Sequence, residues 1–279
     1  MTAGIINGHT ELIAHIGYPT HSFKAPMIYN PWFDKAGVNA RVMPMGCKPD
    51  DFAALLKSLF TLTNIRGALI TMPHKVAALG LLDEILPAAA VAGACNAVRL
   101  SLDGKLQGDM FDGEGFVRGV VRKGVALNGA SALVVGCGGV GSAIAASLAA
   151  AGAGKVALFD VHTASAQGLG ERLKKHHPQL HVQTGSSDPA GFDVVVNATP
   201  LGMNDGDRMP VDMSRMAAST FVGEVVMKTE MTAFLKAAQA LGCRFQVGTD
   251  MLFEQIPAYL EFFDLPSTTP DELRSLALL

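Results

Sequence analysis

The sequence predicts a two-domain α/β protein, and three observations predict it. The segment Gly136-Cys137-Gly138-Gly139-Val140-Gly141 lies mid-chain, between an apolar run and an Ala-rich run. Short apolar runs alternate with helical ones on both sides of it, the pattern of parallel sheets crossed by helices. The chain has 279 residues, 49% hydrophobic and 17% charged, which is enough for two cores. The architecture is therefore an α/β substrate-binding domain plus a Rossmann-type dinucleotide-binding domain, with a cleft between them. Residues 1–112 plus 249–279 are expected to form the first, and 113–248 the second.

Each element follows from local pattern. Residues 11–17 alternate as a strand, and a Pro-bounded loop runs from Pro19 to Pro26. Residues 27–36 read as a helix interrupted only by Pro31, and 41–45 as a strand. Residues 49–59 form a helix with Phe52, Leu55, Leu56 and Leu59 on one face. Residues 67–71 are a strand stopped by Met72-Pro73, and 75–82 a helix, so the first sheet is expected to be mostly parallel. Asp103-Gly104 turns a hairpin between 98–102 and 105–107. A helix over 113–123 leads to the central glycine segment.

Residues 131–135 read as a buried parallel strand, and 142–151 as a helix that Gly152 closes. Between them, Gly136, Gly138 and Gly141 allow a tight turn, close approach of backbone to a pyrophosphate, and close helix–strand packing. Gly139 and Val140 complete this candidate cofactor loop, and the helix N-terminus offers its N–H groups to phosphate. The next strand, 155–159, ends at Asp160, about twenty residues after Gly141, where an acid accepts hydrogen bonds from ribose hydroxyls and repels an extra phosphate. No Arg follows until Arg172. NAD is the favoured cofactor; NADP stays open because a protonated His162 would tolerate the phosphate. Strands at 192–197 and 220–226, a helix at 232–241, a strand at 245–247 and an amphipathic helix at 250–263 complete the chain.

The net charge of −3 gives no reason to expect nucleic acid or an acidic membrane surface as partner. The four cysteines form no C-x-x-C pair, so neither zinc nor a disulfide framework is indicated, and a reducing cytoplasm suits them. No signal peptide and no apolar run of membrane-spanning length is read. The expected partner is a small-molecule substrate, with the chain a monomer or homodimer.

Two residues carry the candidate chemistry. Lys75 follows a strand end and a Pro turn and starts a helix, a place suited to proton transfer at a cleft. Asp112, at the start of the second domain, is the natural partner. Taken singly, Lys75 reads equally as a solvated surface charge and Asp112 as a helix cap.

Several segments, in order, resemble the shikimate dehydrogenases: 17–26 (GYPTHSFKAP), 71–75 (TMPHK), 93–97 (GACNA), 108–113 (GDMFDG), 136–141 (GCGGVG), 197–203 (NATPLGM) and 248–255 (GTDMLFEQ). The resemblance spans nearly the whole chain. It implies a two-domain fold and reversible hydride transfer between shikimate, quinate or a related ring alcohol and a nicotinamide cofactor. By the same resemblance Lys75 and Asp112 are the catalytic pair, and Thr71, Asn96 and Gln255 bind substrate hydroxyls. Thr199, Pro200 and Met203 border the nicotinamide, and Gly248 lies on the cofactor side.

The departures are specific. The two serines that hold the substrate carboxylate in the family fall on Phe23 and Ala25, neither of which has a side-chain donor. A one-residue shift would restore one hydroxyl at Ser22 but misalign the prolines. Met110-Phe111, Met227 and Ile256 replace family Asn-Thr, Tyr and Gly. Losing two charge-assisted hydrogen bonds costs roughly 1.5–3 kcal/mol each. The expectation is therefore a divergent paralogue whose substrate tail is less polar or differently placed. Two other readings remain at this stage. One is a dehydrogenase of a bicyclic or pterin-like substrate; the other is a non-catalytic nucleotide-binding sensor with a decayed substrate site.

Overall fold

The computed structural model describes residues 6–279. The chain divides into two compact units. One comprises the chain up to Ala89, Gly93–Met110 and Ile256–Leu279; the other comprises Ala90–Ala92 and Phe111–Gln255. Whereas the sequence suggested divisions after 112 and 248, this one runs just before Phe111 and inside the last long helix.

The first unit begins with β1 (Glu11–Gly17), α1 (Ala25–Ala36), β2 (Ala40–Gly46), α2 (Pro49–Leu59), β3 (Ile65–Ile70) and α3 (Lys75–Leu79). It continues with β4 (Glu84–Ile85), α4 (Pro87–Ala92), β5 (Ala97–Leu100) and β6 (Leu106–Asp109). The six strands lie in the order β2-β1-β3-β5-β6-β4. The sheet is mostly parallel, as expected, with β5 as its one antiparallel strand. β1 runs parallel to β2 and β3, but β5 pairs antiparallel with both β3 and β6. The cause is the 103–104 turn, which folds β6 straight back on β5 and leaves no crossover helix to reverse the chain. Ile13, Ala14 and Ile16 make β1 the apolar spine of this unit, with Ile28, Phe33, Phe52 and Leu56 from the covering helices. Pro31 sits inside α1 without ending it. α3 stops at Leu79, one turn short of expectation.

The second unit contains α5 (Asp112–Arg122), β7 (Ser131–Val135), α6 (Gly139–Ala150), β8 (Lys155–Phe159), α7 (Thr163–His176) and β9 (His181–Thr184). Then come β10 (Val194–Asn197), a 3-10 turn at Met213–Arg215, β11 (Phe221–Glu224), α8 (Ala233–Ala240) and β12 (Phe245–Gln246). The helix α9 (Gly248–Phe262) passes from this unit into the first, and α10 (Pro270–Leu276) follows. The sheet order is β12-β11-β10-β7-β8-β9, with every pairing parallel. This is the doubly wound order, and its direction reverses between β7 and β10. Apolar side chains fill both faces. Phe116, Ile144, Leu148, Leu158 and Leu169 pack on one, and Leu133, Val195, Val222, Phe234 and Leu235 on the other.

Small residues let the helices approach. A Cβ on Gly113 would collide with the backbone of Ala143, and one on Gly115 with Gln255, so α5 lies directly on α6 and α9. Two ion pairs, Arg122–Glu254 at 2.9 Å and Lys123–Asp250 at 3.2 Å, tie α5 to α9 at the rim. All four cysteines are unbridged and buried. Burial pushes the thiols of Cys95 and Cys137 up to about 12, so neither is a nucleophile at neutral pH. Among the described residues no helix is long and apolar enough to cross a membrane.

Candidate functional site

In a doubly wound sheet a ligand belongs at the carboxyl ends of the strands flanking the reversal, here β7 and β10. Gly136 leaves β7 with φ +100°, a conformation that favours glycine, and a Cβ there would meet Ala198 O at 2.6 Å. Gly141 is pressed against the carbonyl of Gly136. These two glycines are required by the protein's own packing. Gly138 and Gly139 are different: nothing lies within 4 Å of a Cβ built on either, and both are exposed. Their missing side chains leave room for a molecule outside the chain, as a pyrophosphate needs. α6 starts at Gly139 with no side-chain cap and no acid in its first turn, so its first N–H groups and positive dipole end face that space.

Asp160 follows β8 directly, and the structure gives it a bracing part that the sequence did not show. One carboxylate oxygen accepts the Cys137 N–H at 2.7 Å and the other accepts the His162 N–H at 2.8 Å. It therefore braces the glycine loop and still has acceptor lone pairs to spare.

On the β10 side, Glu224 is fully buried. Its carboxylate accepts hydrogen bonds from Asn197 Nδ2 (3.0 and 3.1 Å), Thr232 Oγ1 (3.0 Å) and the Val225 and Val226 N–H groups (2.8 and 3.1 Å). Burial raises its pKa, and these donors act in the opposite direction. Asn197 passes the order on. It accepts from Thr199 N–H and Oγ1 and donates to Leu201 O at 2.9 Å, which fixes the loop of Thr199, Pro200 and Met203. Gly248 sits where any side chain would strike Val226 O. Sequence reasoning did not single out Glu224; its only signal was an acid ending an otherwise apolar strand.

In the first unit, Thr71 and Lys75 lie just beyond β3. Thr71 N–H donates to Ile16 O at 2.9 Å, and His74 N–H to Thr71 O at 2.9 Å. His74 is buried, stacked on Phe52 at 4.2 Å, with Nε2 2.9 Å from Cys47 O. This anchors the first turn of α3, and the Lys75 carbonyl accepts Cys95 N–H at 2.8 Å. Asn96 is buried between β3 and β6, its backbone bonded to Ile70 (2.8 Å) and Asp109 (3.0 Å). Asp112 is the first residue of α5 and is buried; Gln255 on α9 has a buried Oε1 without a partner.

The loop of Ser22, Phe23 and Ala25 has a definite form. Ser22 is exposed, while Phe23 and Ala25 are half-buried. The Phe23 ring stacks on His15 at 4.0 Å, with its Cζ 2.9 Å from where a Cβ on Gly17 would lie. Sequence reasoning missed His15, which looks like one more alternating strand residue. An open cavity of about 600 Å³ lies nearby, lined by Tyr18, His21, Cys47, Lys48 and Asp51, but Thr71, Lys75 and Asn96 are not part of it.

Residues 15–98 match the model of the shikimate dehydrogenase substrate binding domain. The chain is 32% identical to the shikimate dehydrogenase (NADP(+)) of Acidiphilium cryptum, covering 96% of each chain, and 34% identical to that of Rubrobacter xylanophilus, covering 91% of each. The chain belongs to the shikimate dehydrogenase family. Solved structures of similar form include shikimate 5-dehydrogenase of Listeria monocytogenes, in complex with shikimate and NAD (26% identity, TM-score 0.90, 97% of each chain). Quinate dehydrogenase of Corynebacterium glutamicum in complex with NAD (29%, TM-score 0.85, 96% of this chain and 98% of that one) is another. So is the 5-ketofructose reductase of Gluconobacter sp. strain CHM43 (26%, TM-score 0.88, 97% and 98%). The family accounts for the α/β fold with its Rossmann-type unit, and makes the chain an NAD(P)-dependent oxidoreductase of the shikimate/quinate type.

Proposed function

We propose that this chain transfers hydride reversibly between a ring secondary alcohol and NAD, with Lys75 and Asp112 as the proton-handling pair. The observation that carries the reading is a glycine loop that leaves space at Gly138 and Gly139, in a family chain that keeps Lys75 beyond β3. NAD, when bound, accepts or returns the hydride. Residues 136–141 and the start of α6 would hold its pyrophosphate, Asp160 its ribose, and the loop of Thr199, Pro200 and Met203 would border its nicotinamide.

The chain's own residues supply the rest. In oxidation, Lys75 takes the hydroxyl proton as the carbon gives up hydride, leaving a ketone. In reduction, the Lys75 ammonium polarises the carbonyl and returns the proton. Asp112 orients the ammonium and balances its charge. Thr71, Asn96 and Gln255 bind the substrate's hydroxyls and fix which carbon reacts. Asp160, with Val161 rather than an Arg after it, favours NAD over NADP even though the curated relatives are named for NADP. Phe23 and Ala25 make shikimate and quinate weak substrates, and one structural relative is named as a 5-ketofructose reductase. A small-molecule substrate and a cytoplasmic setting fit this chemistry. The non-catalytic alternative is not favoured, since relatives along nearly the whole chain are named as dehydrogenases.

The test is Lys75→Ala. Turnover, followed by nicotinamide absorbance, should fall about 10²–10⁴-fold, with NAD affinity by calorimetry unchanged. A variant of undiminished turnover defeats the reading.

A further inference from the structure

His15 is a titratable side chain that the mechanism above leaves unused. It lies on β1, two residues before Gly17 and on the same face. On that face a Cβ added to Gly17 would strike Thr71, a candidate substrate ligand, and come within 2.9 Å of Phe23. The Phe23 ring stacks on the imidazole with planes 26° apart. One imidazole edge is sealed: Nδ1 is buried and has no hydrogen-bond partner. A buried orphan acceptor is tolerated more readily than a buried orphan N–H, which places the proton on Nε2. The ring as a whole is only partly buried, so Nε2 is the nitrogen left to meet a ligand. Burial, helped by the positive charge of Lys75, pushes the imidazole down to about 4, so the donor is uncharged at neutral pH.

Carboxylate recognition needs paired donors, preferably charged. Phe23 and Ala25 offer none, and His15 offers one, neutral and set against an aromatic face. We infer that His15 is a specificity-determining residue that binds the non-reacting end of the substrate through Nε2–H, and that this end is an uncharged hydroxyl or ketone oxygen. The substrate class is then an uncarboxylated cyclic polyol or keto sugar, its C–H face against Phe23. The inference rests on the hydride-transfer reading above and names the substrate class of that same site.

The test compares turnover with NAD or NADH on two sets of probes: 5-ketofructose and myo-inositol, and shikimate and quinate. The wild-type protein should favour a neutral probe by at least about tenfold in kcat/KM. His15→Leu should raise KM for that probe about tenfold with kcat within about threefold, and His15→Asn should recover part of the loss. The double variant Phe23→Ser/Ala25→Ser should raise kcat/KM for shikimate by about tenfold or more. Wild-type preference for shikimate or quinate overturns the inference without needing any variant to fold, and so does an unchanged KM in a folded His15→Leu. Turnover that survives Lys75→Ala, or no turnover on either set, defeats the hydride-transfer reading and the inference with it. Lys75-dependent turnover that favours the acids defeats the inference alone.

Discussion

The glycine loop at 136–141 and the loop at 17–26 both follow the carboxyl end of a parallel strand, and they have been treated differently. The first keeps every glycine that its geometry demands. Gly136 and Gly141 are locked by contacts with the chain's own backbone, and Gly138 and Gly139 keep space clear. The second has its prolines, but Phe23 and Ala25 between them carry an aromatic ring and a methyl, with no side-chain donor. A site made of backbone leaves little freedom, because substitution collides with the fold itself. A site made of side-chain donors can be rewritten at small cost to stability, because the backbone beneath it does not change.

Substitutions put that contrast to the test. The largest effect is expected from Gly141→Ala, whose methyl would overlap the Gly136 carbonyl. The melting temperature should fall sharply, by an amount corresponding to about 3 kcal/mol or more, and NAD binding should be lost. Next is Glu224→Ala, which strands the Asn197 and Thr232 side chains and two backbone N–H groups. Denaturant titration should show a loss of about 3–5 kcal/mol, whereas Glu224→Gln keeps most of the contacts and should lose far less. Gly138→Ala sits in open space: the melting temperature should hold while NAD affinity by calorimetry weakens about tenfold. Equal destabilisation by the alanines at 138 and 141 would erase the distinction drawn between them.

The smallest effect concerns His15. Its folded pKa lies near 4, below the unfolded value of 6.5. As pH falls from 6.5 toward 4 the unfolded chain takes up a proton before the folded one, so the contribution of this residue to stability is full above 6.5 and declines across that window. His15→Leu should therefore flatten the dependence of melting temperature on pH between 7 and 4; an unaltered slope would mean that the ring is not held neutral.

Both units were legible from sequence in part. β7, β8 and α2 carry uninterrupted apolar runs or one clear helical face, and their limits were read to the residue. α7 was not read, because Gly168, Gly170 and a polar majority blur its period; only Ala166, Leu169, Gly170 and Leu173 are buried. The antiparallel entry of β5 was missed because alternating strands and helices say nothing about where a hairpin will insert. In the site, glycines and a lone Lys after Pro are punctuation that a sequence displays. The roles of Glu224 and His15 come from neighbours far away in the chain, Asn197 and Thr232 for the one, Phe23 and Lys75 for the other, and local spacing does not carry that information.

The double duty of Asp160 has an evolutionary consequence. The carboxylate that we propose discriminates against a phosphorylated ribose is also a strut holding Cys137 at the mouth of β7. Exchanging it to admit the other nucleotide would loosen the loop that grips either one. Cofactor preference in this chain is therefore mechanically coupled to loop rigidity, and a route from one nucleotide to the other has to pass through a compensating change before a gain appears.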